Sequence, residues 1–275
     1  MGRIVIIQHE ARSRDVRPFA LQLLVNRWLQ AGHKILIASG TDRLPDADLA
    51  FLHVDLSVVP DAYVEALRRY PRVINHRASD IRKSRFSRIR VAPDDGWDGP
   101  VIVKTDLNCG GIPEMRAHLH DKIAGRRVGR PPRTSLEYPI YERMELVPAA
   151  VWSTPELIVE RFLPEQDEGG YYLRTWIFLG GRGRCRRFRS AKRYIKGNDY
   201  ISAQPAEVPD LLRAERQRLG FDYGKFDFVI RDGEPILLDV NKTPGMPPAS
   251  RPDLRRPYAE LAGAIGRTLP TPLIA

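Results

Sequence analysis

Lys225-Phe226-Asp227-Phe228-Val229-Ile230-Arg231-Asp232-Gly233-Glu234-Pro235-Ile236-Leu237-Leu238-Asp239-Val240-Asn241 is two period-two runs on either side of an Asp-Gly pair, the signature of a β-hairpin. If Phe228 pairs with Leu238, then Ile230 faces Ile236, and Phe226, Phe228, Ile230, Ile236, Leu238 and Val240 share one apolar side. Asp227 then lies opposite Asp239, with Asn241 one pleat further along the same face. A plain two-residue turn at Asp232-Gly233 breaks that parity and strands the carboxylates on opposite faces, so the pattern predicts an odd-length loop or a bulge. Two carboxylates and an amide oxygen on one face suit a hard cation; magnesium takes one or two carboxylates and completes its octahedron with phosphate and water. The solvated polar face of an ordinary hairpin carries the same residue types.

Upstream, short apolar runs alternate with amphipathic stretches. Arg3–Gln8, Lys34–Ser39, Leu49–Val54 and Arg72–Asn75 read as strands, with helices over Arg17–Ala31 and from Pro60 to Arg69. That alternation implies a small parallel sheet covered by helices, in an α/β (α+β) chain. No Gly-x-Gly-x-x-Gly follows the first strand, so a dinucleotide site of the usual kind is unsupported. From about residue 77 the rhythm changes. Ser79–Ser87 is a polar helix candidate containing Lys83, and Pro100–Lys104 is a strand ending in a lysine ahead of Asn108-Cys109-Gly110-Gly111. Met115–Ala150, with weak periodicity, reads as an insertion or loop, and His118 and His120 within it as loop surface. Leu157–Phe162 and Tyr171–Leu179 are strands, Pro209–Leu219 a helix, and Arg255–Leu269 a closing helix.

Composition limits the classes. The 275 residues are 43% hydrophobic and 28% charged, enough for a sizeable core, and no apolar run approaches the ~18 residues of a membrane helix. Two cysteines exclude a disulfide framework and point to a reducing cytoplasm. The net charge of +10 leaves nucleic acid, anionic lipid or an anionic substrate open as partners. The charge is concentrated in Arg182–Lys196, which has eight basic residues and no acidic one. Phe188 and Tyr194 are its only aromatics, a poor stacking platform for nucleic acid.

A Lys-ended strand with a Gly loop, a Val-Glu-Arg-Phe strand, a Leu-Arg strand, a basic hairpin and a final Asp…Asp-x-Asn together resemble the ATP-grasp superfamily. Within it the likeness is to carboxylate–amine ligases of the ribosomal-S6-modification and glutathione-synthetase type, over roughly residues 77–250. The resemblance implies an N-terminal Rossmann-like domain over residues 1–76 and an ATP-grasp domain over 77–275. The latter divides into a small subdomain (77–156, with the insertion at 115–150) and a large one (157–275), with nucleotide between them. It implies ATP and Mg²⁺, or Mn²⁺ in its place, as cofactors. Lys104, Lys83, Gly110 and Gly111 would contact ATP, with Val159, Glu160, Arg161 and Phe162 as the hinge strand holding adenine by main-chain bonds. Arg174 and Arg189 would act at the transferring phosphate, as Lys192 or Arg193 also could, and Asp227, Asp239 and Asn241 would ligate the metal.

Two positions depart from the pattern. Tyr172 stands where close relatives carry an acidic residue, and Gly110-Gly111 is followed by Ile112-Pro113-Glu114 rather than more glycine. The implied reaction phosphorylates a small-molecule or peptide carboxylate and joins it to an amine, releasing ADP and phosphate. An arginine-lined cleft favours an anionic partner such as an amino acid, a peptide C-terminus or a sugar acid. The alternatives are a phosphotransferase of the same fold, which needs one acceptor rather than two, and a basic polyanion-binding module with a vestigial ATP site.

Overall fold

The computed structural model describes residues 2–196 and 199–265. Near the N-terminus, β1 (Arg3–Gln8), β2 (Lys34–Ser39), β3 (Leu49–Leu52) and β4 (Val73–Ile74) form a parallel sheet in the order β2-β1-β3-β4. The helix Leu21–Gln30 buries Leu21, Leu24, Val25 and Trp28 against one face, and Tyr63, Leu67 and Tyr70 cover the other. These strands read as unbroken apolar runs because both faces are covered.

A second, antiparallel sheet of three strands joins β5 (Val101–Thr105) to β6 (Ile140–Tyr141) on one side and β7 (Leu157–Arg161) on the other. The largest sheet contains β8 (Glu165–Asp167), β9 (Gly170–Leu179), β10 (Arg182–Ser190), β11 (Ser202–Pro205), β12 (Tyr223–Arg231) and β13 (Glu234–Asn241). Its order is β11-β10-β9-β12-β13, with β8 pairing on β9. The helix Asp210–Arg218 packs on its back face over Trp176, Phe178, Phe226 and Phe228. Among the described residues no helix is long and apolar enough to cross a membrane.

The hairpin resolves the parity conflict by a bulge. Arg231 pairs with Glu234 across Asp232 and Gly233, whose φ of 52° and 83° suit a two-residue I′ turn. Asp227 nevertheless pairs with Asp239, because the register shifts between Asp227 and Phe228. Phe228 therefore pairs with Leu237 rather than Leu238, and Ile230 with Pro235 rather than Ile236. Leu237 takes the core position expected of Leu238. The bulge re-aims the strand so that Leu238 and Asp239 both face the opposite side, a known use of this device.

Other elements differ from expectation where local polarity hid tertiary support. Only Lys83–Phe86 of the polar stretch is helical, held by Ser84 bonding twice to the Asp106 carboxylate at 2.7 Å. The segment expected to begin an irregular insertion starts instead as the helix Ile112–Ile123, so His118 and His120 lie on a helix. The closing helix runs over Pro252–Leu261 with a further turn at Ala262–Ala264; residues 266–269 lie outside the described residues.

The parallel sheet and the large sheet share a core. Phe51 of β3 meets Tyr223 of β12 edge-on at 5.1 Å, and Trp28 Nε1 donates to the Ala262 carbonyl at 3.1 Å. Asn75, fully buried at the end of β4 with φ 65°, accepts the main-chain N–H groups of Asp222 and Tyr223 on one oxygen, both at 2.9 Å. Its amide nitrogen donates to the Tyr223 carbonyl at 2.9 Å. Asparagine tolerates the left-handed conformation that the site demands.

His53 follows β3 between the rings of Phe19 and Phe51, with both ring nitrogens buried and unpartnered. Burial pushes its pKa down to about 3 from 6.5, although Asp55 pulls the other way. The unfolded chain thus takes up a proton below pH ~6.5 that the folded chain refuses, so stability is lost as pH falls through the window from 6.5 toward 3. Between pH 7 and pH 5, urea denaturation of wild type should show a loss of about 2 kcal/mol from this group, and His53→Met should lack that component.

Candidate active site

One face of β13, β12, β9 and β10 floors a cleft of about 540 Å³. Lys104 of β5, Lys83 and the helix Pro252–Leu261 contribute to its walls. Strand register sets out the floor in rows: Asp227, Thr175 and Arg186 lie side by side on β12, β9 and β10, and Lys225, Ile177 and Arg184 form the next row.

Thr175 Oγ1 donates to Asp227 Oδ1 at 2.7 Å, and Lys225 Nζ lies 2.7 Å from the other carboxylate oxygen. Lys83 Nζ is 3.9 Å from Asp239 Oδ1 and donates to the Leu107 carbonyl at 3.0 Å. Asn241 Oδ1 accepts the Thr243 N–H at 2.8 Å, which sets its amide orientation. Burial raises the Asp239 pKa; Lys83 opposes this and Asp227 adds to it. Burial alone would lower the Lys225 ammonium, but the Asp227 carboxylate outweighs it and raises the pKa. Two converging carboxylates and an amide oxygen, one acid strained toward neutrality by burial, are a donor set that a hard divalent cation fits.

Lys104 is buried with its Nζ 2.7 Å from Glu160 Oε2. It also borders a smaller cavity of about 70 Å³ lined by Ile102, Phe162, Leu163, Leu173, Tyr194 and Leu238. Tyr194 borders both cavities and packs edge-on against Tyr138 at 6.2 Å. The main chain of the expected hinge is largely engaged: the Val159 carbonyl accepts from Val91, and the N–H groups of Arg161 and Phe162 donate to Ile89 and Pro100. Of that stretch Arg161 and Phe162 border the smaller cavity, and Leu163 follows them along its wall.

The glycine pair also departs from expectation. A Cβ on Gly110 would lie 2.1 Å from the Ser135 carbonyl oxygen, and one on Gly111 would lie 2.6 Å from that of Arg133. Both glycines are needed for that close approach, and both are buried under it. Asn108 and Cys109 line the cleft in their place.

Arg174 and Arg189 are corrected by strand alternation. Thr175 and Arg186 face the cleft, so their neighbours Arg174 and Arg187 face the other way. Arg174 forks onto Glu165 with Nε–Oε2 and Nη2–Oε1 both 2.9 Å, and Arg187 Nε adds a third bond at 2.7 Å. Burial alone would raise the Glu165 pKa; the bonds from Arg174, the Ile230 N–H and Arg187 outweigh it and hold the carboxyl below its usual range. Arg189 donates to the Gly169 carbonyl at 3.2 Å, Lys192 lies 2.7 Å from Asp199, and Arg193 lies 2.5 Å from Glu142. Tyr172 bonds to Asp167 at 2.7 Å beneath the Arg187 guanidinium. Lys225 was legible by alternation from Asp227, whereas nothing local marks Thr175, Leu163 or Tyr194.

No family model matches the chain, and no curated protein matches it significantly. Solved structures match in fold. A D-alanine–D-alanine ligase from Bacillus anthracis superposes with a TM-score of 0.54 at 16% identity, over 98% of this chain and 97% of that one. A RimK domain ATP-grasp protein from Sphaerobacter thermophilus gives 0.54 at 13%, over 95% and 98%. The ATP-grasp ligase PsnB, solved with a minimal precursor, gives 0.54 at 13%, over 96% and 99%. At these identities the likeness is one of fold: the chain has the ATP-grasp fold.

Because Arg174 serves Glu165 rather than the cleft, Arg174→Leu should cost about 2 kcal/mol of stability in urea denaturation. Any shift in Tm on adding Mg-ATP should stay within about a degree of wild type. A variant of normal stability that no longer responds to Mg-ATP would restore Arg174 to the site.

Proposed function

We propose that this chain is an ATP- and Mg²⁺-dependent ligase that activates a carboxylate as an acyl phosphate and joins it to an amine, releasing ADP and phosphate. The observation that carries the reading is the convergence of Asp227, Asp239 and Asn241 with Lys83, Lys104 and Lys225 in one cleft between two sheets. Asp227, Asp239 and Asn241 would hold the metal. When bound, Mg²⁺ would neutralise charge on the transferring phosphoryl group, the main electrostatic demand of such chemistry. On this reading residues 1–76 are an N-terminal domain, and 77–156 and 157–275 are the two halves of the nucleotide-binding unit.

The acid's oxygen attacks the terminal phosphorus, and the bond to ADP breaks. The amine nitrogen then attacks the acyl carbon; the C–N bond forms, the C–O bond to phosphate breaks, and the amine's proton leaves to solvent. Lys104, fixed by Glu160, and Lys83, fixed by the Leu107 carbonyl, offer preorganised positive charge to the phosphates. Lys225, pinned beside Asp227, offers a cation on the floor toward Ile177, where an acyl oxygen would develop charge. The adenine end would lie at Phe162–Leu163 in the smaller cavity. Polyanion binding is the weaker alternative, because Arg174, Arg187, Lys192 and Arg193 have acidic partners within the chain.

Thermal unfolding tests the nucleotide site. At ~100 times its dissociation constant, Mg-ATP should add about 2.7 kcal/mol, a Tm shift of several degrees. The shift should require Mg²⁺ and disappear in Asp239→Ala. ADP release should need two co-substrates and fall at least 100-fold in Lys225→Met with the nucleotide shift retained. Turnover with one acceptor alone would make the protein a phosphotransferase.

A further inference from the structure

Beyond the metal-ligand carboxylates, the cleft continues over β9 and β10 to the C-terminal helix, and its chemistry changes. Ile177, Phe188, Met246 and Tyr258 supply an apolar lining, three of them buried, and Arg184 and Arg186 supply two guanidinium groups. The wall at Met246 is fixed, since the Met246 N–H donates to the Pro18 carbonyl at 2.8 Å and the Pro244 carbonyl accepts from Ala20 at 2.9 Å.

The arginines are incompletely neutralised. Arg186 Nη1 lies 3.3 Å from Asp253 Oδ2, and Arg184 Nη2 lies 3.6 Å from Glu260 Oε2. Both exceed the ~2.7–2.9 Å of a full charge-assisted bond. Each acid has a closer partner elsewhere: Arg251 grips Asp253 at 2.8 and 3.0 Å, and Arg256 holds Glu260 at 2.8 Å. Arg186 also donates to the Asp253 and Ala203 carbonyls at 3.0 and 3.4 Å, and Arg184 to the Gly183 carbonyl at 3.2 Å. Of the five N–H groups on each guanidinium, Nε–H and part of the terminal pairs remain for an incoming carboxylate at the apolar lobe. Register places Arg186 two strands from Asp227, about 10 Å between main chains. A carboxylate held by the arginines is therefore a different group from the one activated at the metal-ligand end.

We propose that this lobe takes the amine co-substrate, and that the co-substrate is an amino carboxylate with a large apolar side chain, either a free amino acid or a short peptide. Its carboxylate is held by Arg184 and Arg186, its side chain lies against Ile177, Phe188, Met246 and Tyr258, and its amine points along the floor toward Lys225 and Asp227. There the neutral amine attacks the acyl carbon, forming the C–N bond as phosphate departs and a proton passes to solvent. A polar side chain would leave its hydrogen-bonding groups unmet in this lining. The proposal rests on the ligase reading.

The test is titration calorimetry on the full chain saturated with Mg²⁺ and a non-hydrolysable ATP analogue. The ligands are leucine, phenylalanine, leucyl-leucine, alanine, glutamate and leucinamide. Leucine, phenylalanine or leucyl-leucine should bind at least tenfold more tightly than alanine or glutamate, with leucine against leucyl-leucine separating free amino acid from peptide. Leucinamide, lacking the carboxylate, should lose at least tenfold against leucine. Arg186→Gln should lose the preference for leucine over leucinamide while keeping the Mg-ATP thermal shift, which shows that it is folded. Equal binding of glutamate, indifference to the amide, or no binding of any ligand to nucleotide-loaded protein would overturn the proposal and leave the nucleotide site standing. No thermal shift with Mg-ATP would remove the ligase reading itself.

Discussion

Asp227 and Asp239 stand opposite each other on adjacent antiparallel strands, and two like charges at that spacing are tolerable only beside positive charge. Lys225 and Lys83 provide it from two directions, one from the same strand and one from a helical turn that reaches in from outside the sheet. The carboxylates thus position lysines as much as lysines position carboxylates. Both depend on the bulge: without the extra residue at Leu238, the two acids could not share a face across a two-residue turn.

The second constraint is that the cleft walls are not free to drift. The parallel sheet and the large sheet bury a common set of side chains, and Asn75 ties the end of β4 to the start of β12 through its amide. The helix Ile112–Ile123 is tied in as well, since Glu114 accepts the Ser57 N–H and Arg116 lies 3.0 Å from Asp55. A site set between two sheets keeps its spacing because the parallel sheet and its loops hold elements around it through polar bonds that are costly to break.

Strand parity then sorts the basic cluster into two populations. Arg184 and Arg186 of β10 face the cleft, while Arg187 and Arg189 turn away to Glu165, Asp167 and the Gly169 carbonyl. A run that reads as one block of charge is therefore a neutralised rear face and a much smaller cationic patch at the front.

The chain's periodicities were sufficient for the α/β alternation, the hairpin, the paired carboxylates and the need for a bulge, because these follow from side-chain alternation within a few residues. That Asp227, Asp239 and Asn241 share a face was legible for the same reason, whereas Lys83 and Lys104 were singled out only by the resemblance to ATP-grasp ligases. What only the tertiary structure decided was direction and partnership. Arg174 turned away because Glu165, on another strand, lies behind it; Gly110 and Gly111 answer to residues 133–135 packed against them; and Lys225 matters because Asp227 lies beside it on a face that closes a cleft. Local pattern specifies which face of a strand a residue occupies relative to its neighbours, but which face meets the cleft depends on helices and sheets far away in sequence.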